Sequence, residues 1–405
     1  MQRLSRFIML ALGAGVLLFA SSYPATQASA DDTIKIAVMN DQSKVYADLD
    51  GQGGVSAVRM AVQDYGGAVL GKSIKVLSVD HQNDPALAST KAHELFESLG
   101  ASVIIGLPTS SVSLAVSAVG AADHKLVIVV GGATDDLTMS KCNKYTFHYG
   151  YDTYALAQNT GKRVTEAGGK RWYMITANYA FGESMLRNFT AAVQQAGGSV
   201  IHNDYVPLGN TDFSTYLLQA QAMRPDVIGL MNAGGDTINS MKQINEFGLQ
   251  KRGIKVGVGL LFDSDVSSLG PDYWNGATIT IGSYWNLDDK TRAFADRYKA
   301  KTGKRPTWIQ IADYSAAYQY LDAVNRAKSI DANAVVKALE GYHFEDLFAR
   351  HAYIRAQDHL LIHDMYVADV KPASAVTIPW DFFKIVKTVP GEQAYRPLSQ
   401  VTCKM

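Results

Sequence analysis

Short apolar runs alternate along the chain with longer segments whose apolar residues recur at helical spacing. The run at 32–40 (DTIKIAVMN) predicts a buried strand, and the segment at 54–65 (GVSAVRMAVQDY) predicts an amphipathic helix. Further strands and helices are predicted in alternation at 73–80, 85–99, 101–106, 108–124 and 125–132. Strands that alternate with helices of this length are typical of βαβ units and a parallel sheet.

The same pattern returns between 170 and 262. AVQDYGG at 61–67 is similar to AVQQAGG at 192–198, and ASVIIGLPTSS at 101–111 is similar to PDVIGLMNAGG at 225–235. Each half thus runs through a helix, Gly-Gly, a strand, a helix and a strand that ends in a polar loop. We expect an α/β fold of two similar Rossmann-like lobes with parallel central sheets, and the length of the chain also favours two domains.

Residues 66–73 (GGAVLGKS) fit the phosphate-binding pattern G-x-x-x-x-G-K-[ST]. That pattern binds phosphate when a strand leads into the loop and a helix follows it. Here the order is reversed, because a predicted helix precedes the segment and a predicted strand follows it. Gly66 and Gly67 are better interpreted as the end of the helix, and we expect no nucleotide or other cofactor.

Residues 1–30 have the features of a secretory signal peptide. Arg3 and Arg6 precede an apolar run at 7–20, and Ala28-Ser29-Ala30 forms a small-residue cleavage site. A membrane anchor is the alternative, but the run is shorter than the roughly 20 residues that a spanning helix needs. We expect an exported, periplasmic protein that is not embedded in a membrane.

Charge and motif content argue against several classes of function. The 38 basic and 38 acidic residues balance, so no basic surplus indicates nucleic acid binding. Neither G-x-S-x-G nor H-E-x-x-H occurs, and no nucleophilic or metal-dependent enzyme is indicated. His359 and His363 are four residues apart but fall in a predicted strand, so we expect a solvent-facing pair and no metal site.

Polar, mostly glycine-containing loops follow five of the predicted strands. They lie at 108–111, 131–136, 178–182, 232–236 and 260–265. Ligands of open α/β sheets bind beyond the carboxyl ends of the strands, so these loops predict a binding cleft. Thr109, Ser110 and Ser111 open a helix, where hydroxyls and free N–H groups suit a carboxylate, although capping the helix explains them equally well.

Taken together, these segments resemble type I periplasmic substrate-binding proteins of the branched-chain amino acid class, which serve ABC importers. The resemblance covers nearly all of the mature chain and rests on VLGKSIKVLSVDHQNDPALA, VIIGLPTSS, ATDDLT, YAFGESM and QINEFGL. It implies a small carboxylate ligand between two lobes, an ABC permease as partner and a monomer. A sensor of the same fold that feeds a signalling receptor is one alternative, and an exported enzyme is another.

In that family the loops that match PTSS and GGAT hold the carboxylate of the ligand, and the second lobe adds an aromatic cover. The contact residues that the resemblance implies are Ser110, Ser111, Gly132, Ala133, Thr134, Phe181, Asn232, Asp236 and Phe262. Tyr151 and Tyr179 are further candidates, since with His148 and Tyr149 they could make the cleft aromatic.

The chain departs from the amino acid binders of that family. Those proteins place a carboxylate near the position of Leu261 and Phe262 to pair with the ligand's ammonium, whereas here Asp263 and Asp265 only follow it. They also often have a tyrosine where this chain has NAGGD. These departures favour a carboxylate with a flat or apolar body, such as an aromatic acid, and leave a branched-chain or other amino acid as the alternative.

The resemblance also implies a hinge of several strands that join the lobes. We expect crossings near 149–153, 281–285 and 370–377. The N-terminal lobe would then contain 31–150 and 284–369, and the C-terminal lobe 151–283 and 370–405. The last crossing should return the tail to the hinge region, where Cys403 would meet Cys142 in a disulfide. Two free thiols are the alternative.

Overall fold

The computed structural model describes residues 33–405, so the predicted signal peptide at 1–30 lies outside the described residues. Within this range the chain forms two lobes, each with a largely parallel sheet and helices packed against it. The predicted α/β fold is confirmed. No helix in this range combines the length and the apolar character that crossing a bilayer requires.

The first sheet is built from the first six strands of the described chain. They are β1 Thr33–Asn40, β2 Ala68–Val69, β3 Lys72–Asp80, β4 Ala101–Gly106, β5 Leu126–Val129 and β6 Thr146–His148. Their order is β2-β3-β1-β4-β5-β6, and every neighbouring pair is parallel except β2 with β3. The central strands β1, β4 and β5 are buried on both faces, which explains their nearly unbroken aliphatic sequences.

The second sheet repeats this architecture later in the chain. It contains β7 Arg171–Ala177, β8 Ser199–Val206, β9 Val227–Met231 and β10 Lys255–Val258. All neighbours are parallel, in the order β10-β9-β7-β8. The indole of Trp172 is fully buried, and a Cβ at Gly257 would lie 2.4 Å from it. Glycine on β10 therefore leaves room for the largest side chain of β7.

Two antiparallel sheets, thirteen α-helices and seven short 3₁₀- or π-helical segments complete the described part of the chain. The remaining strands are β11 Thr278–Ile281, β12 His343–Phe344, β13 Ala352–Ile354, β14 Leu361–Ile362, β15 Met365–Val370 and β16 Phe383–Val389. They form two sheets, β11-β15-β16 and β12-β13-β14. The helices are α1 Gly51–Asp64, α2 Pro85–His93, α3 Ser110–Ala122, α4 Thr153–Leu156, α5 Lys162–Glu166, α6 Ala180–Gln195, α7 Ser214–Met223, α8 Gly235–Glu246, α9 Asp263–Leu269, α10 Asp289–Thr302, α11 Trp308–Ala327, α12 Ala332–Leu339 and α13 Gly391–Ala394.

The segment that fits the phosphate-binding pattern begins with the predicted helix end and continues as a hairpin between β2 and β3. Gly66 and Gly67 follow α1 with positive φ angles, and the Gly67 N–H donates to the Val62 carbonyl at 2.9 Å. Leu70 and Gly71 also have positive φ and turn the chain between β2 and β3. The amides of this segment are thus used in ending α1 and in the turn, rather than at the start of a helix.

The predicted disulfide between Cys142 and Cys403 is present, with Cα atoms 5.7 Å apart across a sequence separation of 261 residues. A second contact holds the same tail. The Arg396 guanidinium donates to Asp135 Oδ2 at 2.6 Å and lies 4.3 Å from the ring centroid of Tyr154. The C-terminal segment is therefore fixed against the loop that follows β5.

The prediction that His359 and His363 form a solvent-facing pair is wrong, because both side chains are at most 1% exposed. The His359 ring stacks on Phe147 with centroids 4.1 Å apart, and its Nε2 lies 3.0 Å from Glu340 Oε1. His363 Nε2 lies 3.0 Å from the Gly150 carbonyl. Burial lowers the pKa of both imidazoles. The sequence predicted one continuous strand here, but His359 precedes β14 and His363 lies between β14 and β15, where segments distant in sequence cover both rings.

Candidate functional site

The carboxyl ends of both sheets face a small cavity, which we call the aromatic cavity. Its wall consists of Tyr46, Leu49, Pro108, Gly131, Tyr151, Tyr179, Phe181, Ala233, Leu260 and Phe262. All five predicted strand-end loops contribute to this wall, and the first and second loops do so through Pro108 and Gly131. The cavity volume is about 10 Å³, enough for about one water molecule. The lobes are therefore closed on each other here, and a ligand needs space that only their separation provides.

Two tyrosines connect the lobes at the edge of this cavity. The hydroxyls of Tyr46, in the loop after β1, and Tyr179, in the loop after β7, lie 2.5 Å apart. Burial, followed by the proximity of the two phenols, raises the pKa of Tyr46 well above its usual value. Burial also raises the pKa of Tyr179. Both phenols are hence neutral at physiological pH, so one donates to the other.

Trp308, the first residue of α11, supports the cavity from outside its wall. Its indole stacks on Phe262 with centroids 4.8 Å apart and meets the ring of Tyr151 edge-on at 4.7 Å. The Tyr151 hydroxyl donates to the Gly131 carbonyl at 3.0 Å. The aromatic wall is therefore held in place by ring contacts between elements that are far apart in sequence.

The predicted carboxylate loops lie side by side next to the aromatic cavity. Ser110 and Thr134 are fully buried, and the Thr134 N–H donates to Ser110 Oγ at 3.2 Å. A Cβ at Gly132 would lie 1.9 Å from Ser113 Oγ, so only glycine permits this approach of the loops. Ala133 is buried and Ser111 is half-buried. The structure thus brings the two loops together through this bond, whereas the Thr134 hydroxyl donates to Asp136 Oδ2 at 3.1 Å within its own loop.

Asn232 and Asp236 have local partners. The Asn232 amide donates to Ser240 Oγ at 3.0 Å and accepts from the Thr237 hydroxyl at 2.8 Å. Asp236 accepts the Gly209 N–H at 3.1 Å, and burial raises its pKa to about 7. Neither side chain belongs to the wall of the aromatic cavity, to which their loop contributes Ala233 instead.

Two carboxyl groups lie behind Phe262. Asp263 and Asp265 are at most 2% exposed, and Asp265 accepts the Phe262 N–H at 2.9 Å. Neither oxygen of Asp263 has a well-aligned hydrogen bond within residues 33–405. Burial raises the pKa of Asp263 to about 8 and that of Asp265 to about 7. At neutral pH a proton therefore occupies Asp263 for much of the time.

Sequence reasoning missed Tyr46, Leu49 and Trp308. The first two lie in the loop after β1, which is also a carboxyl-end loop and follows the predicted strand directly. The same rule that selected the other loops would have found them. Trp308 carried no such signal, because it begins a helix that reaches the cavity only through the tertiary fold. Of the predicted aromatic residues, His148 and Tyr149 lie outside the wall, and the Tyr149 hydroxyl instead lies 2.7 Å from Ser315 Oγ.

Comparison with known proteins points to one family, that of the periplasmic binding proteins. A family model described as periplasmic binding protein matches residues 33–375. A periplasmic binding protein from Burkholderia mallei is 43% identical, and the match covers 92% of this chain and 98% of that chain with a TM-score of 0.90. A branched chain amino acid ABC transporter periplasmic ligand-binding protein from Burkholderia xenovorans LB400 is 35% identical, with 92% and 99% covered and a TM-score of 0.81.

A more distant structure shares the fold. The solute binding protein of an ABC transporter from Rhodopseudomonas palustris BisB5, in complex with 3,4-dihydroxy benzoic acid, is 22% identical. The match covers 89% of this chain and 98% of that chain, with a TM-score of 0.81. At this level of identity, the similarity shows that the two proteins share a fold.

Proposed function

Because the chain belongs to the periplasmic binding protein family, as a solute-binding protein of an ABC transporter, we propose that it captures a small carboxylate with a flat, apolar body in the aromatic cavity. The observation that carries this proposal is the composition of the wall. It contains five aromatic side chains, two leucines and a proline, besides one alanine and one glycine. Flat aromatic faces favour a flat apolar body by stacking and by burial. An aromatic acid combines such a body with a carboxylate.

The carboxylate would bind where the loops after β4 and β5 meet. Ser110 Oγ and the Thr134 N–H, now bonded to each other at 3.2 Å, would both turn to the ligand. The Thr134 hydroxyl, which now donates to Asp136 Oδ2 at 3.1 Å, would do the same. Ser110 is also the first residue of α3, a helix of 13 residues whose N-terminal N–H groups favour an anion. Pro108 and Gly131 connect these two loops directly to the aromatic wall.

Binding would couple to closure. A ligand held by the loops of the first sheet gains contacts with Tyr179, Phe181 and Phe262 only when the second lobe approaches. The liganded form, with its lobes closed on the ligand but less tightly than in this structure, would be the one that the membrane permease recognises. We place the export signal at 1–30, the hinge crossings near 149–153, 281–285 and 370–377, and the protein in the periplasm as a monomer.

A branched-chain or other amino acid is the second candidate. Asp263 and Asp265 favour it, because they supply carboxyl groups close to Phe262. The relative from Burkholderia xenovorans is described as a branched chain amino acid ABC transporter periplasmic ligand-binding protein. Against this candidate, the two carboxyls are buried behind the ring of Phe262, and their raised pKa values reduce the charge available to an ammonium. The family of binding proteins likewise supports a binding role rather than an enzymatic one.

A thermal-shift screen of the mature protein tests the proposal. The panel contains benzoate, 4-hydroxybenzoate, cinnamate, leucine, valine and phenylalanine, with benzamide and benzyl alcohol as matched probes that lack the carboxylate. A ligand at one hundred times its dissociation constant adds about 2.7 kcal/mol to the free energy of unfolding. Stabilisation by aromatic acids and not by benzamide supports the proposal. Stabilisation by leucine or valine alone would replace it with the second candidate.

A further inference from the structure

The carboxylate of Asp135, in the loop after β5, joins the first lobe to the second lobe and to the C-terminal tail. Asp135 is only 3% exposed. Its oxygens accept from Ser184 Oγ at 2.7 Å, from Asn188 Nδ2 at 3.0 Å, and from the guanidinium groups of Arg187 and Arg396 at 2.6 Å each. Burial opposes ionisation, but the hydrogen bonds from Asn188 and Ser184 and the charges of the two arginines outweigh it, so the pKa of Asp135 is lowered. An ionised carboxylate with four donors holds together the segments that carry those donors.

The donors from the second lobe lie on one face of α6. Ser184, Arg187 and Asn188 are separated by three and four positions, a spacing that places them on the same side of a helix. Phe181, whose ring forms part of the wall of the aromatic cavity, lies three positions before Ser184 on the same helix. The bonds to Asp135 therefore fix the part of α6 that carries Phe181.

Two consecutive amides of the loop after β5 point to different lobes. The Thr134 N–H donates to Ser110 Oγ of the first lobe at 3.2 Å, and the Asp135 N–H donates to Ser184 Oγ of the second lobe at 3.3 Å. In the proposed function the first of these amides turns to the carboxylate of the ligand. Because the next amide and the Asp135 side chain both bind Ser184, a shift of the loop toward the ligand is passed to α6.

Thr153, the first residue of α4, belongs to the same cluster of hydrogen bonds. Its N–H donates to the Ala133 carbonyl at 2.9 Å, and its Oγ1 lies 2.6 Å from Ser184 Oγ and accepts from Asn188 Nδ2 at 2.9 Å. This residue stands in the proposed crossing at 149–153. The cluster thus connects the loop after β5, the crossing and α6, which are the segments whose relative placement closure has to set.

We propose that Asp135 is a positioning residue that ties the loop after β5 to α6 and thereby places Phe181 against a ligand held by the Thr134 N–H. Asp135 does not line the aromatic cavity, so it acts through these two neighbours. The placement of Phe181 against a ligand rests on the proposed function. The tie between the two lobes does not rest on it.

The first experiment measures binding of benzoate to the full mature protein by calorimetry. Asp135→Asn should weaken binding about tenfold, and Ser184→Ala, which keeps the carboxylate and its arginine partners, should weaken it by a smaller factor. Each loss should shrink to less than about twofold in a Phe181→Leu background, because the ring that Asp135 positions is then absent. A role confined to stability would give the same loss in both backgrounds.

Asp226→Asn is the matched control. Asp226 accepts the backbone N–H groups of Lys170 and Arg171 at 3.0 Å and 2.8 Å, and all three residues belong to the second lobe. The change removes the same charge from a hydrogen-bonded carboxylate that does not join the lobes. It should leave the affinity for benzoate unaltered.

The second experiment uses small-angle scattering of the empty protein. Asp135→Asn and Ser184→Ala should each give a larger average particle, since bonds between the lobes are weakened, and Asp226→Asn should not. Failure of the native protein to bind benzoate would count against the proposed function, and scattering would still test the tie. Equal losses of affinity in the two backgrounds would overturn the placement of Phe181, and unchanged scattering of both variants would overturn the tie.

Discussion

The hydroxyl groups of Tyr46 and Tyr179 lie 2.5 Å apart although the two residues are 133 positions apart and follow strands of different sheets. This bond joins the lobes directly at the wall of the aromatic cavity. Because a ligand enters only when the lobes separate, the bond must break during each cycle of binding. The contact between these two tyrosines therefore influences how often the empty protein opens.

Removing either hydroxyl should shift the empty protein toward the open form. Tyr46→Phe and Tyr179→Phe each retain the ring and lose the bond, which contributes about 0.5–1.5 kcal/mol. Small-angle scattering should show a larger particle for each variant and no further increase for the double variant, because one bond is lost in all three cases. Tyr205→Phe, at an exposed position, is the control. Additive effects in the double variant would contradict this account.

The hydroxyl of Ser110 and the side chain of Thr134 should matter for the carboxylate. Ser110→Ala or Thr134→Ala should weaken binding of an acid identified in the screen by about 1–3 kcal/mol, the loss expected for a hydrogen bond to a charged group. Isothermal calorimetry measures the change, and Ser89→Ala, at a half-buried position on α2, provides the control. If both variants bind with unchanged affinity, the carboxylate lies elsewhere.

The two buried acids behind Phe262 distinguish the ligand classes. We expect Asp263→Asn and Asp265→Asn to bind an aromatic acid as the native protein does, because neither carboxyl lines the aromatic cavity. An amino acid ligand would lose most of its affinity in one of these variants, since its ammonium would lack a counter-ion. Competition binding with benzoate and leucine separates the two results. If the native protein binds leucine and one of these variants does not, the ligand is an amino acid.

A buried pair of carboxyls should make stability depend on pH. Asp50 and Asp313 are at most 1% exposed, and each carboxyl influences the pKa of the other. Burial raises the pKa of Asp50 to about 6, and burial together with Asp50 raises that of Asp313 well above its usual value. The folded protein then holds protons that the unfolded chain has released, so the stabilisation falls as pH rises from about 4 through 6 and beyond.

Urea unfolding between pH 5 and pH 8 tests this dependence. Asp313→Asn places a neutral donor beside Asp50, so its free energy of unfolding should fall less steeply with rising pH than that of the native protein. His81 and His148 act in the opposite sense, because burial lowers both pKa values to about 4 and their stabilisation is lost as pH falls. A variant with the native slope would show that the pair does not titrate in this range.

The disulfide should account for a substantial part of the stability. Cys142→Ser combined with Cys403→Ser should lower the free energy of unfolding by about 2–5 kcal/mol, as loss of native bridges does in secreted domains. Alkylation of the denatured protein before reduction should add no alkyl group, as intact mass reveals. Two added groups would mean that the cysteines are free.

The sequence predicted the order of strands and helices well, because both sheets are buried by helices and their strands are marked by aliphatic runs. It also located the loops of the site, since parallel strands deliver their carboxyl ends to one edge. It did not predict Trp308, whose place depends on the packing of α11. Nor did it reveal that His363 is enclosed by Gly150 and Tyr395, because those contacts come from distant segments.

The bridge between Cys142 and Cys403 also gives the molecule a closed topology. It converts the chain between these positions into a covalent ring that contains every strand of the second sheet, while β1 to β5 form a branch outside it. A protease that cuts once within the ring opens it without releasing a fragment, and the mass increases by a single water. A cut in the branch separates the chain at once. Limited digestion read with and without reductant would therefore assign each nick to one of these two parts.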